Sequence, residues 1–109
     1  MTVRMRSDRP DGLVPTVVVD ESGVALGLVY SSAESVIASV EKKRGIYFSR
    51  SRGLWEKGLT SGAWQDLLRI ELDCDSDALK FTVRQHGAGF CHLERRNCWS
   101  QGHGITQLL

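Results

Sequence analysis

Three cysteines and a cluster of aspartates are the residues of this chain whose types and spacing could do chemistry. Cys74, Cys91 and Cys98 follow the pattern C-x16-C-x6-C and are all the cysteines present. The first of them lies in the acidic stretch 73–77, DCDSD, so a soft metal ligand stands among hard ones. Thiolates favour zinc, whereas carboxylates favour magnesium, calcium or manganese. The two ligand sets suggest two metals with different roles, and an enzyme is the first hypothesis to test.

The cysteines leave three interpretations open. Structural zinc usually has four protein ligands, whereas catalytic zinc keeps one position for water and lowers the pKa of that water to about 7. Three thiolates without an evident fourth ligand suit a catalytic site. His92 or His103 could instead complete a structural site, and a third interpretation is three buried thiols without a metal. His92 could also be an acid/base group, a hydrogen-bond donor to a metal ligand or a plain loop residue.

The aspartates are interpreted through the strand expected before them. If that strand continues through Asp75, Cys74 shares a face with Leu72, and Asp73 and Asp75 project to the opposite face. The thiolate would then point towards a dry site and the carboxylates towards a wetter magnesium site. The alternative is a set of solvated turn residues. The array lacks the glycine and the distal glutamate of an EF-hand loop.

A basic segment, residues 49–62, carries the parts that proteins use to bind phosphate. Arg50, Arg52 and Lys57 supply cations, and serine and threonine hydroxyls and glycine amides accompany them. Trp55 could stack on a base. The order G-x-x-x-x-G-K-[ST] is missing, so the segment is not a P-loop. The alternative is a solvated basic loop with a core tryptophan.

Composition bounds the class of protein. A chain of 109 residues suffices for one domain with a modest core, which a dimer partner or a metal would help to stabilise. The net charge of +1 is too small to attract nucleic acid or an anionic membrane through the overall electrostatic field of the protein. The odd cysteine count disfavours a disulfide framework, and neither a signal peptide nor a membrane span is visible. We therefore expect a cytoplasmic protein with reduced thiols.

The elements that must position these side chains follow from periodicity. Residues 1–12 are predicted to be a flexible polar arm, and residues 13–109 a single domain. Apolar runs and alternation predict strands at 15–20, 24–30, 46–49, 68–72 and 79–83. The first two strands should form a hairpin, and the last two a hairpin with the acidic stretch at its tip. The basic segment has little periodicity and predicts no core element.

A helix is predicted after the first hairpin. Ser31 and Glu34 match a capping box at its start, and Gly45 is expected just past its end. The basic run at 42–44 would complement the helix C-terminus. The predicted apolar stripe comprises Ala33, Val36, Ile37 and Val40.

Together these segments resemble the phosphoribosyl-AMP cyclohydrolases of histidine biosynthesis, from about Val14 to Trp99. The motifs that carry the resemblance are Ser49-Arg50-Ser51-Arg52, Leu54-Trp55-x-Lys57-Gly58, Thr60-Ser61-Gly62-x-x-Gln65, Asp73-Cys74-Asp75-x-Asp77, Gln85-x-Gly87, Cys91-His92 and Cys98. The segments 27–32 and 89–93 look closest to the form found within multifunctional fungal histidine-pathway enzymes. The chain departs from a common family pattern at Leu59, Leu93-Glu94 and Ser31-Ser32.

The resemblance implies an α+β fold related to the β-grasp, with a mostly antiparallel sheet and one main helix, in an intertwined homodimer with shared active sites. It implies that zinc is held by Cys74 of one subunit with Cys91 and Cys98 of the other, and magnesium by Asp73, Asp75 and Asp77.

The resemblance also implies a reaction. The family hydrolyses the N1–C6 bond of the adenine ring in N1-(5-phosphoribosyl)-AMP and gives the phosphoribosyl-formimino-AICAR-phosphate product, with zinc-bound hydroxide as the expected nucleophile and His92 as the expected proton-transfer group. The expected substrate-binding residues are Arg50, Arg52, Trp55, Lys57, Thr60, Ser61 and Gly62. The alternative is a zinc-stabilised nucleotide-binding paralogue without catalysis. Nucleic acid and membranes are not expected as partners.

Overall fold

Six β-strands and one α-helix make up the part of the chain that this computed structural model describes, residues 4–87, 89–90 and 98. The strands are β1 (Val14–Asp20), β2 (Ala25–Ser31), β3 (Ile46–Ser49), β4 (Gly53–Glu56), β5 (Gln65–Leu72) and β6 (Leu79–Gln85). Helix α1 (Ala33–Lys42) connects β2 to β3. The sheet order is β4-β3-β2-β1-β6-β5, and among these strands only β1 and β6 pair in parallel. A mostly antiparallel sheet with one main helix is confirmed, whereas the dimer and the β-grasp relation stay predictions.

Both predicted hairpins are present. The Asp20 carboxylate closes the β1–β2 turn, because its Oδ1 accepts hydrogen bonds from the N–H groups of Ser22 at 2.9 Å and Val24 at 3.0 Å. Strands β5 and β6 form the second hairpin. No period in the sequence predicts β4, which has four residues, begins with glycine and pairs with β3.

Helix α1 begins one residue later than the sequence predicts. The Ser32 hydroxyl accepts from the Ser35 N–H at 3.0 Å, and the Ser35 hydroxyl accepts from the Ser32 N–H at 2.9 Å. Ser31 is instead the last residue of β2, where its buried hydroxyl hydrogen-bonds that of Thr16 at 2.7 Å. The predicted capping box of Ser31 with Glu34 is therefore wrong, because pairing with β1 keeps Ser31 in the strand.

The buried face of α1 also differs from the predicted apolar stripe. Val36 reaches the core, but Val40 is exposed, and Ser35 and Ser39 are fully buried. The Ser39 hydroxyl donates to the Ile46 carbonyl at 2.7 Å and accepts from the Ile46 N–H at 3.1 Å. Hydrogen bonds to β3 therefore hold the helix where apolar contacts were expected.

Residues 43–45 close the curled sheet at one end by linking its two edge strands. Lys43 takes the left-handed conformation, with φ 57°, and ends the helix in place of Gly45. The Gly45 N–H donates to the Gln65 carbonyl at 3.2 Å, and the Lys57 N–H donates to the Gly45 carbonyl at 2.9 Å. A Cβ at Gly45 would overlap Gln65 Oε1, so this close approach requires glycine.

The core lies between α1 and the inner face of the sheet. Its buried apolar side chains are Val14, Val18, Leu26, Val36, Tyr47, Leu79, Phe81, Val83 and Phe90. Those on β1 and β6 occupy alternate positions of their strands, as the period of two requires, whereas Val36 comes from α1 and Phe90 follows β6. Within the described residues, no helix has the length and apolar character needed to cross a membrane.

The described part of the N-terminal arm, residues 4–12, contacts the domain. The Arg6 N–H donates to the Ser76 carbonyl at 2.6 Å, and the side chain of Met5 packs against the core. The Arg9 guanidinium carbon lies 4.6 Å from the centroid of the Tyr30 ring. The boundary at residue 12 and the flexibility of the arm stay predictions.

Candidate active site

An open groove of about 770 Å³ lies beside β4 and the loop that follows it. The groove brings together many of the predicted site residues. Those that line it are Arg52, Trp55, Lys57, Thr60, Ser61 and Cys98. Most come from one continuous segment, so β3, β4 and the loop after β4 are the elements that position them. We call residues 57–63 the basic loop.

Two cations lie against aromatic rings in this groove. The Arg52 guanidinium carbon is 4.6 Å from the Trp55 ring centroid. Lys57 is 8% exposed, and its Nζ lies 5.7 Å from the Trp55 centroid and 5.1 Å from that of Phe90. Aromatic faces attract cations, so the rings hold the two positive charges in place. The groove therefore suits an anionic ligand with an apolar, planar part.

The basic loop turns sharply between β4 and β5. Gly58 has φ 81°, and a Cβ there would overlap the backbone of Trp64. The Gly62 N–H donates to the Gly58 carbonyl at 3.0 Å and closes the turn. Leu59, where the chain departs from the family pattern, is 73% exposed on this loop and lines the groove.

Two of the predicted substrate-binding residues do not line the groove. Arg50 lines a smaller cavity of about 170 Å³, and its Nε lies 3.8 Å from Asp11 Oδ2. Gly62 lies within the loop and approaches Gly87, where a Cβ would come within 2.7 Å of the Gly62 carbonyl oxygen. Trp55 lines both cavities and also packs against the core. It can therefore be a core tryptophan and still offer a ring face to a base.

The acidic stretch is a turn, not a continuation of β5. Strand β5 ends at Leu72, and Asp73 Oδ1 accepts from the N–H groups of Asp77 at 3.0 Å and Ala78 at 3.1 Å. The prediction that Cys74 and the carboxylates lie on opposite faces of a strand is therefore wrong. The Cys74 side chain is exposed, and its Sγ donates to Asp75 Oδ1 at 3.0 Å.

The turn shifts the pKa values of its ionisable groups in opposite directions. Desolvation raises the pKa of Asp73, but hydrogen bonds from the Asp77 and Ala78 N–H groups outweigh it, and the net pKa is lowered. Desolvation and the hydrogen bond with Asp73 raise the pKa of Asp77. The hydrogen bond to Asp75, followed by desolvation, raises the pKa of the Cys74 thiol. A nearby cation would reverse this last shift and favour the thiolate.

The predicted metal ligands do not converge within the described part of one chain. No three His, Cys, Asp or Glu side chains among the described residues form a group that could hold a metal. Cys74 lies in the acidic turn, whereas Cys98 lines the groove. Cys91 and His92 lie outside the described residues, but Phe90 and Cys98, which flank them in sequence, both line the groove. The exposed thiols of Cys74 and Cys98 are chemically suited to zinc.

Sequence reasoning assigned no role to two buried glutamines. The Tyr47 hydroxyl donates to Gln65 Oε1, and Gln65 Nε2 donates to Gln85 Oε1 at 2.7 Å. Gln85 Nε2 then donates to the Ala63 carbonyl at 2.9 Å. Burial raises the pKa of Tyr47, so its hydroxyl remains a donor. The signal was available for Gln85, which continues the buried series Leu79, Phe81 and Val83 of β6, but not for Gln65, because a bulge between Leu67 and Arg69 shifts it out of phase with Ile70.

A second unassigned cluster lies where residues 43–45 meet β5 and β6. Asp66 binds Arg44 Nη1 through Oδ1 and His86 Nε2 through Oδ2, each at 2.9 Å. The Trp64 ring stacks on His86 with centroids 3.8 Å apart, and the Arg44 guanidinium carbon lies 4.3 Å from the Trp64 centroid. The cluster fastens the closed end of the sheet next to the basic loop.

Comparison with known proteins gives the family. A family model described as phosphoribosyl-AMP cyclohydrolase matches residues 27–100. The chain is 61% identical to the histidine biosynthesis trifunctional protein of Neurospora crassa, over 94% of this chain and 12% of the relative. It is 54% identical to the histidine biosynthesis bifunctional protein of Schizosaccharomyces pombe, over 97% of this chain and 25% of the relative. It is 44% identical to the phosphoribosyl-AMP cyclohydrolase of Marinobacter nauticus, over 82% of this chain and 66% of the relative.

The chain therefore belongs to the phosphoribosyl-AMP cyclohydrolase family. It spans only a small part of the fungal multifunctional relatives, 12% of the Neurospora protein. The predicted resemblance, including its closeness to the fungal form, is confirmed by these matches.

Proposed function

We propose that this chain hydrolyses the N1–C6 bond of the adenine ring in phosphoribosyl-AMP, a step of histidine biosynthesis. The observation that carries the proposal is the groove, where Arg52, Lys57, Ser61, Trp55 and Cys98 converge. The substrate has two phosphate groups and a purine, so it needs cations, hydroxyl donors and an aromatic surface in one place. Family membership supports the same reaction.

In this proposal the groove residues bind and orient the substrate. Arg52 offers a planar fork of donors to one phosphate, and Lys57 offers a point charge. Thr60 and Ser61 donate hydrogen bonds from the basic loop. Trp55 stacks on the purine, which fixes the ring to be opened relative to Cys98.

We further propose that two chains share each zinc site in a homodimer, with Cys74 from one subunit and Cys91 and Cys98 from the other. The separation of the acidic turn from the groove in a single chain supports this arrangement. Zinc, when bound, supplies a Lewis acid that ionises water near neutral pH. Because the pKa of the Cys74 thiol is raised in the single chain, metal binding must be accompanied by loss of that proton.

The remaining assignments are also proposals. Asp73, Asp75 and Asp77 hold magnesium in this proposal, and their place in one short turn supports it. Because the three carboxylates do not form a metal-binding group in the single chain, the turn must rearrange when the ion binds. His92 transfers protons during addition or ring opening, and its place in sequence between Phe90 and Cys98, both at the groove, supports that role. The odd number of cysteines supports a cytoplasmic location.

The test is an absorbance assay of ring opening with purified protein and phosphoribosyl-AMP, before and after chelation. Turnover that chelation abolishes and added zinc and magnesium restore is the expected result. A protein that binds the nucleotide but shows no turnover with both metals present would contradict the proposal. That outcome would favour the non-catalytic nucleotide-binding paralogue.

A further inference from the structure

The buried glutamines form a chain of hydrogen bonds beneath the basic loop. Tyr47 donates to Gln65, and Gln65 donates to Gln85. Gln65 is fully buried and Gln85 is 7% exposed. Because a buried amide without a partner costs free energy, each amide is held in the one orientation that satisfies both neighbours.

The hydrogen-bonded glutamines contact both ends of the basic loop. At the last residue of the loop, Gln85 Nε2 donates to the Ala63 carbonyl at 2.9 Å. At the first residue, the Lys57 N–H donates to the Gly45 carbonyl at 2.9 Å. Gly45 in turn lies directly against Gln65 Oε1, with no room for a Cβ. The glutamine pair therefore supports the entry and the exit of the loop.

Between its ends the loop is held locally. The Gly62 N–H donates to the Gly58 carbonyl at 3.0 Å, and the Ala63 N–H donates to the Ser61 hydroxyl at 3.3 Å. These bonds fix the shape of the turn but not its position against the sheet. The position of the loop hydroxyls relative to the rest of the groove therefore depends on the anchors at the two ends of the loop.

We propose that Gln65 and Gln85 are positioning residues that hold the basic loop in the position against the sheet from which it binds phosphate, an inference that rests on the function proposed above. Neither glutamine lines the groove, so each acts through the loop backbone. A loop released at one end takes up the binding position less often, and the apparent affinity falls by that fraction. Their loss weakens substrate binding and leaves the chemical step unchanged.

The experiment replaces Gln85 by methionine, which has a similar shape but no donor for the Ala63 carbonyl. In Gln85→Met we expect KM for phosphoribosyl-AMP to rise about tenfold, with kcat within about twofold of wild type. Amide hydrogen exchange of residues 58–63 should be faster than in wild type. If Gln85→Met does not fold, Tyr47→Phe is the second variant. It removes only the Tyr47 hydroxyl that donates to Gln65 and should raise KM by about threefold.

Thr16→Val is the matched control. Thr16 and Ser31 are also fully buried and hydrogen-bonded to each other, at 2.7 Å, but they join β1 to β2 and do not line the groove. This variant should lose a comparable amount of stability while KM and loop exchange stay at the wild-type values. Equal changes in Thr16→Val and Gln85→Met would mean general destabilisation and would overturn the proposal.

The exchange measurement separates this inference from the proposed function. If the wild-type protein shows no turnover, the proposed function fails, and loop exchange alone decides whether the glutamines hold the loop. Faster exchange in the loop of Gln85→Met but not of Thr16→Val would then support the holding role. Unchanged loop exchange, or an unchanged KM where turnover is measurable, would overturn it.

Discussion

Lys57 is the cation of the groove that is most enclosed, and its effect can be measured at the scale of a single residue. Replacing it by methionine keeps much of the packing against Trp55 and Phe90 but removes the charge. We expect Lys57→Met to raise KM for phosphoribosyl-AMP by about 10- to 100-fold, because a charged hydrogen bond to phosphate is lost. Steady-state kinetics provide the measurement.

Lys43→Met is the control for this change. Lys43 is exposed at the end of α1 and does not line the groove. Its KM should match wild type. A Lys57→Met protein with an unchanged KM would remove Lys57 from the proposed phosphate site.

The carboxylate of Asp11 is a second single residue with a testable effect, in this case on the stability of the protein in acid. Hydrogen bonds from Arg9, at 3.0 and 2.8 Å, and from the Leu13 N–H lower the pKa of Asp11 to about 2. Since the folded-state pKa lies below the ordinary value of 3.8, the contribution to stability is present above pH 3.8 and is lost as the pH falls towards about 2. Between pH 3.8 and about 2, the free energy of unfolding of Asp11→Asn should therefore decrease less than that of wild type.

Urea titrations at several pH values between 5 and 2 would measure this difference. Asp8→Asn serves as the control, because the Asp8 side chain is 72% exposed and its ion pair with Arg6 is long, at 3.9 Å. The prediction is wrong if Asp11→Asn and wild type lose stability in parallel over the whole range.

At the scale of elements, the Asp66 cluster fastens the closed end of the sheet. Asp66 binds Arg44 and His86 at once, and these residues come from three different segments. We expect Asp66→Ala to lower the free energy of unfolding by about 1–2 kcal/mol, because the half-buried Arg44 and His86 side chains both lose their hydrogen-bond partner. Glu71→Ala, which removes more exposed pairs on the same strand, should cost about 0–0.5 kcal/mol. Equal losses in the two variants would contradict a fastening role.

Sequence patterns predict some of the helix and strand bounds but not others. Strands β1 and β2 were predictable because they are apolar runs, and β6 because its buried residues alternate with polar ones. The helix start was missed because Ser31 and Ser32 are both good caps, and only the pairing of Ser31 with β1 decides between them. The end of β5 at Leu72 agrees with the predicted strand, but its start was missed, because Gln65 to Leu67 do not show the alternation of the residues that follow them.

The site was predictable where it is contiguous in sequence. Arg52, Trp55 and Lys57 converge because they lie on one short strand and directly beside its two ends. The arrival of Cys98 at the same groove, and the exclusion of Arg50 from it, depend on how distant segments pack. No spacing in the sequence carries that information, because packing is decided by the whole core.

At the scale of the whole molecule, the shared zinc site predicts complementation between inactive variants. Cys74→Ala and Cys98→Ala should each be inactive and lose the zinc that wild type holds at about one ion per chain. Unfolded together in equal amounts and refolded, they should regain about a quarter of wild-type activity, because half of the dimers are mixed and each mixed dimer keeps one intact site. Zinc content and turnover of the refolded mixture are the measurements.

Refolded mixtures of Cys98→Ala with Cys91→Ala provide the control, since both ligands are assigned to the same subunit. Every site then lacks a ligand, and no activity should return. Recovery in this mixture, or none in the first, would show that the ligands are not divided between chains as proposed.

The parallel pairing of β1 with β6 has a consequence for biosynthesis on the ribosome. Val18 pairs with Phe81, so β1, at the middle of the sheet, cannot pair with β6 until about sixty further residues have been translated. Until then a nascent chain presents one unsatisfied backbone edge of β1 to solvent and to other polypeptides. Cells that make this domain slowly, or as one segment of a longer polypeptide, must therefore protect that edge while translation continues.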